Sequence, residues 1–311
     1  MKITAISGGS KNGNNDAMAR EALMGAKEQG AEVEFIRLHD LNLKPCTGCV
    51  VCINDMMGGG TGKCVIKDDM EWLSEKIFSA DGVIFAMPIF EKGAPAVMHI
   101  IQDRIFGPTY DPGPCTIAME ISKKTGGPGP DLRKLTPKLV SFISIGGSDW
   151  VSRISADMKI AAMSRRWTII DDIVFPWSKS IVVNDGSVAK CHEIGVNIAK
   201  AAVSGADNTS YPEDLGICPE CHSRNFHVKD DPKETICEVC GMVGELKFLN
   251  GKMVFEVPEE QYEHAHTRMS GKIKHMDDMY RIETEFNENK KTDEYKRRMA
   301  RYGEFIQAVK P

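Results

Sequence analysis

Along residues 1–205, short runs of apolar residues alternate with longer stretches in which apolar positions recur every three or four residues. The short runs are Lys2 to Ser7, Val33 to Leu38, Gly82 to Met87, Leu139 to Ile145 and Ile169 to Phe175. Each has strand length, and Gly82 to Met87 is apolar without alternation, as in a strand covered on both faces. The intervening periodicity predicts helices from about Asp16 to Gln29 (closed by Gly30), Asp68-Asp69 to Ser79, Ala94 to Ile105, Trp150 to Arg166 and Ser187 to Val203. Gly107 to Pro137 reads as a Pro/Gly-rich excursion. Five strands alternating with helices predict an α/β fold, a doubly wound parallel sheet with right-handed crossovers.

Past this block the pattern changes. Ser204 to Pro212 is small and polar, as linkers are. Glu245 to Val257 reads as a hairpin about Asn250-Gly251, a dipeptide that accepts two positive φ angles. From Glu259 onward, helical periodicity returns in pieces, Met276 to Phe286 and Glu294 to Val309, with few large apolar residues. The chain thus divides into 1–205, a small β module over 206–258, and a helical tail over 259–311 that is expected to pack on another surface, such as a second subunit.

Composition narrows the function. No apolar run has the ~18 residues needed to span a bilayer, and the first residues form a strand and glycine turn instead of a leader, so a cytoplasmic location is expected. The net charge of -5 gives no general attraction to nucleic acid or anionic membrane. Residues 206–258 hold 10 acids and 5 bases, so the whole deficit lies in the β module and speaks against nucleic-acid binding there. Eight of the ten cysteines form two metal-type sets. That pattern belongs where thiols stay reduced.

The first set, Cys46, Cys49 and Cys52 with Cys64 after a glycine-rich spacer, has the Cys-x2-Cys-x2-Cys spacing of iron-sulfur ligands, with zinc or no metal as the alternatives. The second, Cys218-Pro-Glu-Cys221 and Cys237-Glu-Val-Cys240, is a pair of knuckles fifteen residues apart. Two such knuckles give one ion four thiolates, as in a zinc ribbon, with a rubredoxin-like iron centre as the alternative. Cys115 and Cys191 are expected to be packed thiols, and the four tryptophans core residues, with Trp150 a candidate for stacking on a ring. The Arg165-Arg166 pair could attract a dinucleotide phosphate, though two charges on a helix face are usually just solvated, and His264 and His266 could be ligands at alternate positions, though a solvated tail is expected.

Ser7 to Asn15 places hydroxyls and amides before a helix N-terminus, which favours an anion, though an ordinary turn would look alike. This stretch, Ile6-Ser-Gly-Gly-Ser-Lys-Asn-Gly-Asn-Asn15, resembles the flavin-phosphate loop of the flavodoxin-like NADPH-dependent FMN reductase family, and the first cysteine set resembles that family's iron-sulfur flavoprotein branch. The resemblance covers about residues 1–205 and implies a flavodoxin-like five-stranded sheet. It implies that Ser7, Ser10, Lys11, Asn12, Asn14 and Asn15 surround the FMN phosphate. Pro88, Ile89, Phe90, Glu91, Lys92 and Gly93 would lie beside the isoalloxazine ring, and Gly146, Gly147 and Ser148 would form a third flavin loop. Cys46, Cys49, Cys52 and Cys64 match the ligands of a 4Fe-4S cluster.

The function expected is an FMN-dependent iron-sulfur oxidoreductase, fed by NAD(P)H or a ferredoxin-type donor and reducing a small-molecule acceptor. No catalytic side chain is assigned, since the redox chemistry belongs to the cofactors. A homodimer or homotetramer is implied. The alternatives are an electron-transfer protein serving a protein partner and a zinc-ribbon scaffold without turnover.

Overall fold

The computed structural model describes residues 1–205 and 217–309, so most of the expected linker lies outside the described residues. Five parallel strands, β1 (Lys2–Ser7), β2 (Glu32–Arg37), β3 (Gly82–Pro88), β4 (Leu139–Ile145) and β5 (Thr168–Phe175), form one sheet in the order β2-β1-β3-β4-β5. The order reverses between β1 and β3. In a flavodoxin-like sheet, ligands bind outside the carboxyl ends of the strands at that switch.

Alternation along the central strands explains the two-sided burial. Val83, Phe85 and Met87 enter one core with Val140 and Phe142, while Ile84 and Ala86 enter the opposite core with Leu139 and Ile143. The first core is covered by α3 (Met70–Ser79), α4 (Ala96–Arg104) and α6 (Ile154–Ser164), the second by α1 (Asn14–Glu28) and α7 (Asp185–Ser204). Helices α1 and α7 touch backbone to backbone, because a Cβ on Gly195 would lie 1.7 Å from the Ala22 carbonyl oxygen.

Three local expectations are corrected. The excursion from Gly107 to Pro137 contains a full helix, α5 (Pro112–Thr125). Asp111 caps it by accepting from Gly113 N–H at 2.8 Å, Pro112 sits where its missing N–H costs nothing, and left-handed Gly126 ends it. The first cysteine loop likewise holds a short helix, α2 (Val51–Met57). Of the tryptophans, Trp167 is core, whereas Trp72, Trp150 and Trp177 are exposed. Cys115 and Cys191 are fully buried, and burial pushes their thiols up to about 11 and about 12.

The second module is an antiparallel sheet of β6 (Phe226–His227), β7 (Thr235–Cys237), β8 (Val243–Leu249) and β9 (Lys252–Glu256). Asn250 and Gly251 both take positive φ at its hairpin, as the two-residue turn demands. The tail folds as α8 (Met269–Asn289) and α9 (Asp293–Phe305), each longer or earlier than its periodicity suggested. Its beginning is not solvated. Lys272 is buried against Asp111, the cap of α5, at 2.7 Å, and the His266 amide bonds the Cys240 carbonyl at 3.0 Å.

Candidate flavin and metal sites

The β1–α1 turn sits at the topological switch. The N-terminus of α1 has no side-chain cap, so its first N–H groups remain for an anion. Among the described residues, the N–H groups of Ser10 and Lys11 meet no protein acceptor, and the buried Asn15 Nδ2 has no partner. Unsatisfied donors gathered at a helix N-terminus fit a phosphate.

The other named residues divide by what they touch. Ser7 Oγ is engaged inside the turn, donating to Asp16 Oδ1 at 2.6 Å, and the left-handed Asn12 donates its N–H to Asp16 Oδ2 at 2.8 Å. Asp16 therefore shapes the loop, a role hidden in sequence because it reads only as a favourable first-turn acid. Asn14 Nδ2 reaches across to the Lys179 carbonyl at 2.9 Å, tying this turn to the segment after β5.

The second loop, after β3, is a tight hairpin. Phe90 and Gly93 exchange both backbone hydrogen bonds, at 3.1 and 2.9 Å, leaving Glu91 and Lys92 at positive φ between them. Two non-glycine residues in the left-handed region cost about 1–3 kcal/mol each, so the surroundings must hold them. They do so through α6: the Arg153 amide bonds the Lys92 carbonyl at 3.0 Å, and Asp157 accepts from the Ala94 amide at 3.0 Å. A Cβ on Gly93 would lie 2.4 Å from Asp157 Oδ2, so glycine is required there. Pro88 ends β3, and the Ile89 amide bonds the Ile145 carbonyl at 3.0 Å.

The third loop is braced from β5. Gly146 N–H bonds the Phe175 carbonyl at 2.9 Å, Ser178 N–H returns to the Gly146 carbonyl at 2.8 Å, and Lys179 covers Gly147. The Trp177 amide bonds the Ser148 carbonyl at 3.3 Å, and Ser148 Oγ accepts from the Trp150 amide at 3.2 Å. Phe90, Trp150 and Trp177 all stand exposed on these loops, with Lys92 Nζ 5.0 Å over the Trp150 ring.

The second cysteine set is drawn together. The sulfurs of Cys218, Cys221, Cys237 and Cys240 lie within 4.8 Å of one another and are buried. The Cys218–Cys240 and Cys221–Cys237 separations are 3.6 and 3.5 Å. A tetrahedral ion with metal–sulfur bonds of about 2.3 Å spaces its sulfurs about 3.8 Å apart, so the set fits a single ion. Four buried thiolates repel one another; Cys237 is held below the ordinary thiol range by its neighbours, while Cys240 is pushed far above it. A cation is what lets all four ionise.

The first set is more open. Cys46 and Cys49 are exposed, Cys52 and Cys64 half-buried, and these sulfurs do not gather at single-ion distances. A cube spreads its ligands more widely, one iron to each thiolate. Left-handed Gly48 and Val50 curl the loop so that Gly48 N–H points at Cys46 Sγ, 3.4 Å away, and the Val51 N–H and Thr47 side chain draw the Cys49 thiol below its usual range. Such N–H groups aimed at sulfur suit thiolate ligands.

The Arg165-Arg166 expectation is corrected. Arg165 is wholly buried and out of reach of a dinucleotide, while Arg166 Nε donates to the Thr267 carbonyl at 3.3 Å.

Comparison with known proteins agrees with this geometry. The chain is 36% identical over 128 residues to an iron-sulfur flavoprotein of Methanocaldococcus jannaschii, covering 41% of this chain and only 60% of that protein's length. It is 25% identical over 291 residues to a flavone synthase of Aspergillus candidus, covering 90% of this chain and 88% of the other. A solved flavone reductase matches at 46% identity over the whole of both chains with a TM-score of 0.90. A family model described as NADPH-dependent FMN reductase matches residues 1–180, more than half the chain, and the protein belongs to that family.

Proposed function

We propose that the chain is an FMN-dependent oxidoreductase that draws reducing equivalents from NAD(P)H and delivers them to a small planar acceptor of the flavone class. The observation that carries this reading is the uncapped α1 N-terminus at the β1/β3 switch, with the buried, unpartnered Asn15 amide beside it. The likeness of the whole chain to a flavone reductase supports the acceptor class. When bound, FMN supplies hydride and single-electron chemistry. The chain's own part is to hold and shield: Ser10, Lys11 and Asn15 would take the phosphate, while the Pro88–Gly93 and Gly146–Ser148 loops, fixed by α6 and β5, would flank the ring. Exposed Phe90, Trp150 and Trp177 offer flat surfaces for an aromatic acceptor.

Cys46, Cys49, Cys52 and Cys64 are proposed ligands of a 4Fe-4S cluster, which would let a ferredoxin-type donor serve in place of NAD(P)H. The buried four-cysteine set is proposed to hold structural zinc, since a closed four-thiolate site leaves no position for substrate. The tail, with Tyr280, Phe286, Tyr302 and Phe305 exposed, is proposed to pack on a second copy in a homodimer or homotetramer in the cytoplasm. A second reading, electron transfer to a protein partner, is favoured by the exposure of Cys46 and Cys49 at the surface.

The test is anaerobic purification, a visible spectrum with FMN, iron and zinc analysis, and an assay of NAD(P)H oxidation with a flavone. The reading requires FMN bands and flavone-dependent turnover. A colourless protein would refute it, and FMN with no turnover but reduction by ferredoxin would favour the second reading.

A further inference from the structure

A cleft of about 540 Å³, apart from the three flavin loops, opens between α3 and the segment Pro128–Lys134 and reaches Cys64. Its size is that of a small-molecule site. Its charge balance is unusual. Every carboxylate on its wall already has a cation: Asp68 pairs with Arg104, Glu71 with Lys63, and Glu75 and Asp131 with Arg133.

Among the described residues, two buried cations here, Lys134 and Arg165, make no ion pair; the acids that act on them, Asp131 and Asp111, are already bound by Arg133 and Lys272. Lys134, 6% exposed on the cleft wall, makes no ion pair among the described residues: its Nζ donates to the Thr109 carbonyl at 2.9 Å and lies 4.1 Å over the Tyr110 ring, while Asp131, already bound by Arg133, and the Cys115 thiol act on it only at longer range. Arg165, 1% exposed, lies behind the Phe78 and Tyr110 rings of the wall, 5.0 and 5.5 Å from them. It donates Nη1 to the Ile105 carbonyl at 2.8 Å, while Nε and Nη2 have no partner. Arg104 also lines the cleft and leaves its buried Nε unpartnered. Burial pulls the Lys134 ammonium below its ordinary range. Buried charge without a counterion is costly and is normally paired. The cleft opens onto Lys134 and gives a counterion a way in.

We propose that this cleft binds a small molecule through an oxyanion, a carboxylate or phosphate group, held by Lys134 and Arg104. The rings of Phe78 and Tyr110 already carry Arg133, Arg165 and Lys134 on their faces, so the anionic group, not ring stacking, provides recognition. The site is independent of flavin binding.

The experiment is thermal unfolding of the purified full-length protein at constant ionic strength, with inorganic phosphate and benzoate as the two probes. At about ten times its Kd, a bound anion raises the folded-to-unfolded ratio about 11-fold and the midpoint by about 2–4 °C. A response to phosphate alone assigns a phosphate-bearing ligand, and to benzoate alone a carboxylate. Lys134→Met should abolish the response and, without anion, unfold at a higher temperature than wild type, whereas Lys134→Arg should keep the response. If Lys134→Met does not fold, Lys134→Gln carries the same test. No shift with either probe, or an equal shift in the charge-removed variant, overturns the proposal. So does a response confined to iron-free protein, which would make a cluster in the cysteine loop the counter-charge.

Discussion

The Lys159→Met substitution tests how the four-cysteine module is joined to the parallel sheet. Lys159 lies on α6, with its side chain 3% exposed; its Nζ is 3.3 Å from Asp172 on β5, itself 4% exposed, and donates to the His222 carbonyl at 3.1 Å. His222 directly follows Cys221, one of the four gathered thiols, and Ala156 of the same helix packs into the core around the four buried cysteines. Methionine keeps the length and removes the charge. Among the described residues, Asp172, whose carboxyl burial already pushes up, then keeps only Ser155 as a partner for Oδ2, and its Oδ1 has none. Breaking one side of a buried ion pair costs about 3–5 kcal/mol. Removing both charges in Lys159→Met/Asp172→Leu should recover most of that, the lost His222 bond accounting for about 1 kcal/mol of what remains. Urea unfolding of the metal-loaded protein measures both, with zinc content and the FMN dissociation constant as companion readouts. The reasoning is refuted if the single change costs under about 1 kcal/mol, or if the double variant is no better than the single.

Burial lifts the Asp171 carboxyl from 3.8 to about 6, despite bonds from Asn197 and Ser141. A raised acid contributes fully below its unfolded value and loses that contribution as pH rises through 6, so Asp171→Asn should match wild type near pH 4 and exceed it by about 3 kcal/mol at pH 8, read from unfolding across that range. Gly195→Ala forces α7 off α1 and should cost about 3 kcal/mol or more, with weaker FMN binding because α1 carries the proposed phosphate turn; a cost below about 1 kcal/mol would contradict the backbone contact. Asp16→Ala removes the acceptor of Ser7 and Asn12 and should cost about 2–4 kcal/mol in stability and lower FMN affinity at least tenfold, measured by flavin fluorescence titration. Cys237→Ser should lose the module's metal and the amide-exchange protection of 226–256 while the parallel sheet keeps its own; retained protection would show that the module needs no ion.

The sequence alone determined the architecture, because strand-length apolar runs and 3.6-residue periodicity are local consequences of burial on two faces. It also placed the glycine turn after the first strand and the spacing of both cysteine sets, since glycine turns and knuckle spacings are short-range geometry. It did not show α5, whose Pro- and Gly-containing start reads as a loop until Asp111 is seen to cap it. Nor could it separate Arg165 from Arg166, adjacent in the chain yet one in an aromatic core and the other at the module interface. Tertiary structure decided which donors are spent and which are free. Ser7 is taken by Asp16, Asn15 keeps an unpartnered amide, one cysteine set closes to single-ion distances while the other stays open, and α6 joins the metal module to the loop after β3. These facts depend on which side chains the folded backbone brings together, to which periodicity and spacing are blind.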